Sequence, residues 1–190
     1  MRKLAILLLL FSFGFSWAQE QTSPMVNKKN EFRVDVLQAL AYGKISVSYE
    51  RFFEGSFSVG VNGNFSNSTR IEDDYNNGFR NNIPRYEINP YVRYALSKSK
   101  ARYYFAEIFA SANGGDFKEI VRENSGGNGF YTIKETQYND FALGGSLGYK
   151  MYFKDAFALE VLVGFGSNLT NKEMSPDVIS RVGINLGYRF

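Results

Sequence analysis

Apolar and polar residues alternate with a period of two through most of the chain, and that period sends neighbouring side chains to opposite faces of a β-strand. The alternation is cleanest over 178–190. There Val178, Val182, Ile184, Leu186, Tyr188 and Phe190 hold the even positions with Ser180, and Arg181, Gly183, Asn185, Gly187 and Arg189 hold odd ones. A first strand over 31–40 sets Phe32, Val34 and Val36 against Arg33 and Asp35. Its alternation breaks at 37–40, read as a bulge before a tight connection near Tyr42 and Gly43. Strand two (44–53) opposes Ile45, Val47 and Tyr49 to Ser46, Ser48 and Glu50. Strand three (57–65) opposes Phe57, Val59, Val61 and Phe65 to Ser58, Gly60, Asn62 and Asn64.

The second half continues the pattern. Strand four (86–96) places Ile88, Pro90, Val92 and Tyr94 against Glu87, Asn89, Tyr91 and Arg93. Proline cannot donate to a ladder, so a bulge is expected at Pro90. Strand five (102–113) carries apolar residues on both faces and leaves its outward side open. Strand six sets Phe141, Leu143, Leu147 and Tyr149 against Ala142, Gly144, Ser146, Gly148 and Lys150. A minimal Lys154-Asp155 turn leads to strand seven, with Phe157, Leu159, Val161 and Val163 opposite Ala158, Glu160 and Gly164.

Eight strands result, and their connections alternate in length. Turns at 54–56, 97–100 and 154–155 are short, whereas 67–84, 114–139 and 168–177 are long. The Asn-, Asp- and Gly-rich 67–84 reads as a polar loop. Within 114–139, strand-forming residues flank a turn at 124–129, which predicts strands five and six running on as a protruding hairpin. The fold class expected is an all-β, eight-stranded antiparallel up-and-down transmembrane β-barrel. Strands of about ten residues, tilted about 40°, cover close to 25 Å, the height of the apolar band of such a barrel.

The polar face collects Arg33, Asp35, Glu50, Glu87, Arg93, Glu107, Lys150, Glu160, Arg181 and Arg189, five acids and five bases. A soluble lipocalin-like barrel is the rival, with its apolar face inward around a ligand and its charges in water. Period alone does not separate the two. A chain ending on phenylalanine, the asymmetry of the connections, and aromatics near strand ends (Phe52, Phe53, Phe57, Tyr94, Tyr103, Phe153, Phe157, Tyr188) favour the membrane barrel. Eight strands enclose only enough room for side chains. The balanced charges are therefore expected to pair inside as a plug, with Arg181 and Arg189 as cationic partners for Glu50, Glu87, Glu107 or Glu160.

Composition narrows the chemistry. The chain has 190 residues, net charge +3, no cysteine and no histidine. Arg2 and Lys3 precede an apolar run over 4–15, and Ser16 and Ala18 supply small residues for cleavage before Gln19, so 1–18 reads as a signal peptide. The run is too short to span a bilayer. Removing it leaves 20 bases against 19 acids, so the sequence pI near 9.0 is no argument for nucleic-acid binding. Residues 19–30 are expected to form a flexible periplasmic leader and 31–190 the barrel. Aromatics at 17%, with eighteen glycines and four prolines, suit a barrel whose alternate residues meet lipid.

Motif matches do not add an activity. Gly144-Gly145-Ser146-Leu147-Gly148 fits the G-x-S-x-G nucleophile elbow, but that motif needs a strand-to-helix turn and a histidine base. Here it lies inside a strand. Glu72, Asp73 and Asp74 lack the spacing of a calcium loop. The N-x-S/T triplets at Asn64, Asn67 and Asn168 are chance in an Asn-rich chain. No catalytic, cofactor or metal residues are assigned, and no enzyme activity is expected.

Four stretches carry a resemblance: the signal ending Trp17-Ala18-Gln19, the segment Ile45-Ser46-Val47-Ser48-Tyr49-Glu50-Arg51, the run Asn89-Pro90-Tyr91-Val92-Arg93-Tyr94, and the ending Gly187-Tyr188-Arg189-Phe190. On these the mature chain resembles the small eight-stranded outer-membrane proteins of the OmpA/OmpX type. In detail it is most similar to a family of such barrels common in Bacteroidota, a domain of unknown function. The resemblance implies a bacterial outer-membrane location, lipid around the barrel, and recognition of Tyr188 and Phe190 by the outer-membrane assembly machinery. A monomer presenting its loops outside the cell is the expected function, with an extracellular protein partner held by 114–139 through strand addition. A narrow channel for small solutes is the alternative, and a lipid-modifying enzyme would lack a histidine base.

Overall fold

The computed structural model describes residues 27–97, 99–125 and 128–190. The signal segment, most of the leader, and Gly126 and Gly127 of the anticipated hairpin turn lie outside them. Eight strands follow one another: β1 (Asn30–Asp35), β2 (Lys44–Phe52), β3 (Phe57–Ser66), β4 (Asn82–Ala95), β5 (Arg102–Ser125), β6 (Asn128–Phe153), β7 (Phe157–Asn168) and β8 (Val178–Arg189). Each pairs antiparallel with the next, and β8 returns to β1, so the sheet is a closed up-and-down barrel. The closing seam runs from Glu31 opposite Arg189 to Asp35 opposite Asn185.

Both described termini and the short connections β2–β3, β4–β5 and β6–β7 share one end, here called the turn end. Lys154 and Asp155 both have positive φ, 50° and 55°, and Ala156 N–H donates to the Phe153 carbonyl at 3.2 Å. This is the I′ geometry that matches strand twist in a hairpin. Residues 27–29, assigned to a flexible leader, are tied to the barrel at this end. Arg189 Nε donates to the Lys28 carbonyl at 2.8 Å, and Phe52 N–H donates to that of Lys29 at 2.8 Å.

Three local expectations are corrected at the far end. Residues 37–42 are not a bulged strand but a helix, α1 (Val36–Tyr42). The Asp35 side chain accepts Gln38 N–H at 2.9 Å as its N-cap, and Gly43 closes it in the left-handed conformation. Leu37, Ala39, Leu40 and Ala41 are helix formers between two capping residues, so local preference outweighs extension of the strand. The polar stretch 67–84 contains a second helix, α2 (Thr69–Asn76), and β4 starts earlier than expected, at Asn82. The bulge is at Arg85, between the pairs Pro84–Gly115 and Tyr86–Gly114, rather than at Pro90. Pairing of β4 with β5 lapses at Asn89 and Pro90 and resumes at Tyr91–Phe109 in the same register. The missing proline N–H therefore costs a ladder bond without requiring an inserted residue.

The alternation sorts as the period demands. Outward positions are large and apolar, with Ile108 74%, Ile45 67%, Leu147 65% and Phe165 60% exposed. Inward positions are mostly polar, charged or aromatic, with Ala142, Ala158 and Leu162 as aliphatic exceptions. On β5, whose sequence left both faces open, Phe105, Glu107, Phe109 and Ser111 point inward and are buried. The β5–β6 ladder continues far beyond the others, unbroken from Arg102–Met151 to Ser125–Asn128.

Candidate functional site

The middle of the barrel's inward face carries one continuous set of ion pairs. Arg33 Nη1 lies 2.7 Å from Glu31 and 3.6 Å from Glu160, and it also pairs with Glu50. Arg93 contacts Glu50 at 3.0 Å, Glu107 at 2.7 Å and Glu160 at 2.6 Å. Lys150 Nζ meets Glu31, Glu50 and Glu160 at 2.7, 2.9 and 3.0 Å. Arg181 closes the set on Glu107. Four acids face four bases, all buried, so charge is balanced where isolated ions would be costly.

Every strand takes part. Glu31 and Arg33 come from β1, Glu50 from β2, Arg93 from β4, Glu107 from β5, Lys150 from β6, Glu160 from β7 and Arg181 from β8. From β3, Ser58 donates to Glu50 at 2.5 Å. Further donors fill remaining lone pairs: Tyr152 OH to Glu31 at 2.5 Å, Ser146 to Glu107 at 3.2 Å, and Asn185 to Glu160 at 3.2 Å. Arg33 Nη2 donates to Tyr91 OH at 2.6 Å.

Seven of the ten charges expected inside therefore meet: Arg33, Glu50, Arg93, Glu107, Lys150, Glu160 and Arg181. Three stand apart. Asp35 caps α1 and also accepts Ile184 N–H at 3.3 Å. Glu87 accepts Asn64 Nδ2 at 2.9 Å nearer the far end. Arg189 is not a partner of Glu50, Glu87, Glu107 or Glu160. It donates to the Lys28 carbonyl and to Tyr152 OH, at 3.2 Å, and stacks on Phe52 with its guanidinium carbon 3.7 Å from the ring centre. Glu31 belongs to the network and is absent from the sequence-based set. It shares the face of Arg33 two residues on, and its place at the start of β1 hid it.

Carboxylate oxygens of Glu31, Glu50 and Glu160 approach within 4.8 Å of one another, a spacing a divalent cation would suit. The Lys150 ammonium already occupies the centre of that trio, so the charge a metal would supply is present as a side chain.

Aromatic rings pack around the ions. Arg93 lies 3.8 Å above Phe105, and Arg181 4.7 Å from Phe109. Directly opposite these rings on β6 stand Gly148 and Gly144, with Ser146 facing Glu107. A Cβ at Gly148 would run into the Phe105 ring and come 2.7 Å from the Val161 carbonyl oxygen. The apparent nucleophile motif thus has a packing origin: its outer glycines clear space for two rings, and its serine hydrogen-bonds a buried carboxylate.

Past the apolar band, Asp140 holds the β7–β8 connection. It accepts Thr170 N–H at 2.9 Å, Thr170 Oγ1 at 2.5 Å, Asn171 N–H at 3.0 Å, its neighbour Phe141 N–H at 2.6 Å, and Ser175 Oγ. Burial works against its charge, but these donors outweigh it and hold the carboxyl well below the usual range. Beyond Phe117, the last β5 residue paired with β4, the hairpin is a two-stranded ribbon. Its remaining eight β5 residues, at roughly 3.3 Å each, reach about 25 Å further. Ile120 faces Ile133 across the ribbon, and both are exposed, as is Tyr131. At the opposite end Tyr188 and Phe190 point outward with rings 6.4 Å apart, and Phe190 exchanges backbone hydrogen bonds of 2.8 and 3.0 Å with Asn30.

No protein-family model and no curated protein sequence matches the chain. Among solved structures it is similar to the N-terminal β-barrel domain of Pseudomonas aeruginosa OprF, with TM-score 0.51 and 11% identity over 86% of this chain and 98% of that one. Neisserial surface protein A aligns with TM-score 0.48 and 11% identity, over 85% of this chain and 93% of that one. Ail, the attachment invasion locus protein of Yersinia pestis, aligns with TM-score 0.46 and 10% identity, over 86% and 99%. At such identity the OprF likeness speaks for the fold.

Proposed function

We propose that the chain is a bacterial outer-membrane barrel of the OmpA/OmpX type, monomeric, with its turn end in the periplasm and a polar plug in place of a pore. Its resemblance to the Bacteroidota barrel family belongs to this reading. The observation that carries it is the inversion of the two faces. Four ion-paired acids and four bases fill the inside, while the outside exposes Ile, Leu, Val and Phe around the barrel. Water would reward the opposite arrangement, and lipid rewards this one. Signal cleavage after Ala18 and recognition of Tyr188 and Phe190 during assembly complete the route to the membrane.

Function then resides in what the far end presents, and the ribbon built from 118–135 is its longest element. Its free strand edges and the exposed Ile120–Ile133 pair suit addition of an extended segment from an extracellular protein. The test is surface proteolysis of intact cells combined with outer-membrane fractionation. Cleavage within 119–134 in the outer-membrane fraction is expected, and protection of that stretch until the cells are broken would overturn the reading.

A narrow conduit is the second reading. Arg93 lines both a cavity at the turn end and a small polar vestibule on the far side, so the ion-paired layer is what separates them. Conductance of the purified protein in a planar bilayer would favour it over the plug.

A further inference from the structure

The cavity at the turn end is a site of its own. It measures about 190 Å³ and is walled by Phe52, Phe53, Phe57, Ala95 and Tyr103, with Arg93, Ser58 and Arg189 also lining it and Lys29 and Lys100 contributing. Against these four cations the lining offers one acid, Glu54.

The cations are not equivalent. Arg93 is fully engaged by Glu50, Glu107 and Glu160. Lys100 donates to the Gly55 carbonyl at 2.6 Å. Arg189 is only 8% exposed, yet no carboxylate lies within 4.0 Å of it among the described residues. Its Nε and Nη1 are used by a carbonyl and a hydroxyl, and Phe52 covers one of its faces. Its Nη2 has no hydrogen-bond acceptor among the described residues. On the same cavity wall, the buried Tyr103 packs against Phe105 and Tyr152, and its hydroxyl makes no hydrogen bond among the described residues. Glu31, opposite Arg189 across the seam, is bound by Arg33, Lys150 and the Tyr152 hydroxyl, so the guanidinium reaches that carboxylate only through Tyr152 and has no direct ion pair at the cavity wall. A buried cation normally has a counter-charge.

We propose that this mouth binds an organic oxyanion, a carboxylate or phosphate ester joined to a small apolar body, with Arg189 pairing the anion, the Tyr103 hydroxyl donating to it, and Phe52, Phe53 and Phe57 enclosing the apolar part. The apolar walls reject a fully hydrated inorganic ion, and the unpaired guanidinium rejects a neutral solute. The source is either a free solute or the headgroup of an anionic lipid beside Phe53 and Phe57, which are half-exposed at the same rim.

The test uses ¹⁵N-labelled full-length protein folded in dodecyl maltoside, an uncharged detergent, and reads the Arg189 Nε–Hε signal with the amides of Ser58 and Tyr103. Benzoate should move all three saturably, and its neutral isostere benzamide should not. Arg189→Gln should weaken benzoate at least tenfold at the two amides, whereas Arg189→Lys should keep part of the affinity; heat-modifiable gel mobility reports whether each variant is folded. In nanodiscs, the same shifts with phosphatidylglycerol and not phosphatidylcholine identify the lipid source, and shifts only on adding benzoate identify a solute. An equal response to benzamide, undiminished binding by folded Arg189→Gln, or no saturable shift with benzoate or phosphatidylglycerol overturns the proposal. If Arg189→Gln does not fold, the benzamide and Arg189→Lys comparisons decide.

Discussion

Gly148 stands directly across the β5–β6 ladder from Phe105, and the ring of Phe105 lies where a side chain at 148 would be. The Val161 carbonyl closes the remaining room at 2.7 Å, so the ring cannot simply swing away. Gly148→Ala should destabilise the barrel by about 1–3 kcal/mol through overpacking. Gly145→Ala, whose Cβ would meet its nearest neighbour at an ordinary 3.5 Å, should stay within about 0.5 kcal/mol. Urea unfolding in micelles measures both.

Removing Lys150 leaves Glu31, Glu50 and Glu160 facing one another. Lys150→Met should cost about 3–5 kcal/mol, because breaking a buried ion set strands uncompensated charge. Adding Glu50→Gln to that variant should recover part of the loss, since it restores neutrality. Equal stabilities for the single and double variants would show that the cost is packing rather than charge.

Asp140 predicts an acid response confined to the β7–β8 connection. Its carboxyl is held below its unfolded value, so its contribution is complete above about pH 4 and fades as pH falls through the lower folded value. Amide exchange at Thr170 and Asn171 should thus be protected equally, after correction for intrinsic rates, from neutral pH to about pH 4. In Asp140→Asn that protection should be lost at every pH.

The ribbon should be separable from the barrel. Lys118 N–H donates to the Asn81 carbonyl at 2.8 Å, so a deletion should spare it. Replacing 119–134 by a short turn should leave heat-modifiable mobility and the unfolding midpoint unchanged, because those residues pair with each other. The same deletion should abolish capture of any extracellular partner.

How much of this was readable beforehand depends on range of interaction. Strand faces follow from a period of two, which is why Arg33, Glu50, Arg93, Glu107, Lys150, Glu160 and Arg181 could be placed inside from sequence. Which of them pair is a matter of eight strands meeting across a lumen, and no local pattern encodes that. The sequence pattern gives Arg189 a carboxylate partner, but its guanidinium meets a carbonyl, a hydroxyl and a ring, because the oxygens of Glu31 opposite it are already taken by Arg33, Lys150 and Tyr152. α1 escaped because seven residues are too few for a helical period to stand out, although Asp35 and Gly43 were its visible caps. The face of β5 stayed open while its aromatics were considered alone; glycines across the ladder resolve it.

The seam between β1 and β8 has a further meaning for how the barrel comes together. Ser125 and Asn128 meet across a minimal gap in the chain, and each subsequent β5–β6 pair adds little further loop. Glu31 and Arg189 instead close the chain from residue 31 to residue 189, and the entropy of closing a loop rises with its length. The cheapest contacts therefore form first at β5–β6 and the dearest last at the seam. Arg33 and Glu31 sit on that seam, and their partners come from β2, β6 and β7. The ionic layer is thus completed late: Arg93–Glu107 and Lys150–Glu160 join neighbouring strands, but Glu31 to Lys150 and Arg33 to Glu160 can engage only once the sheet has curled round, and they then hold shut the junction most prone to part.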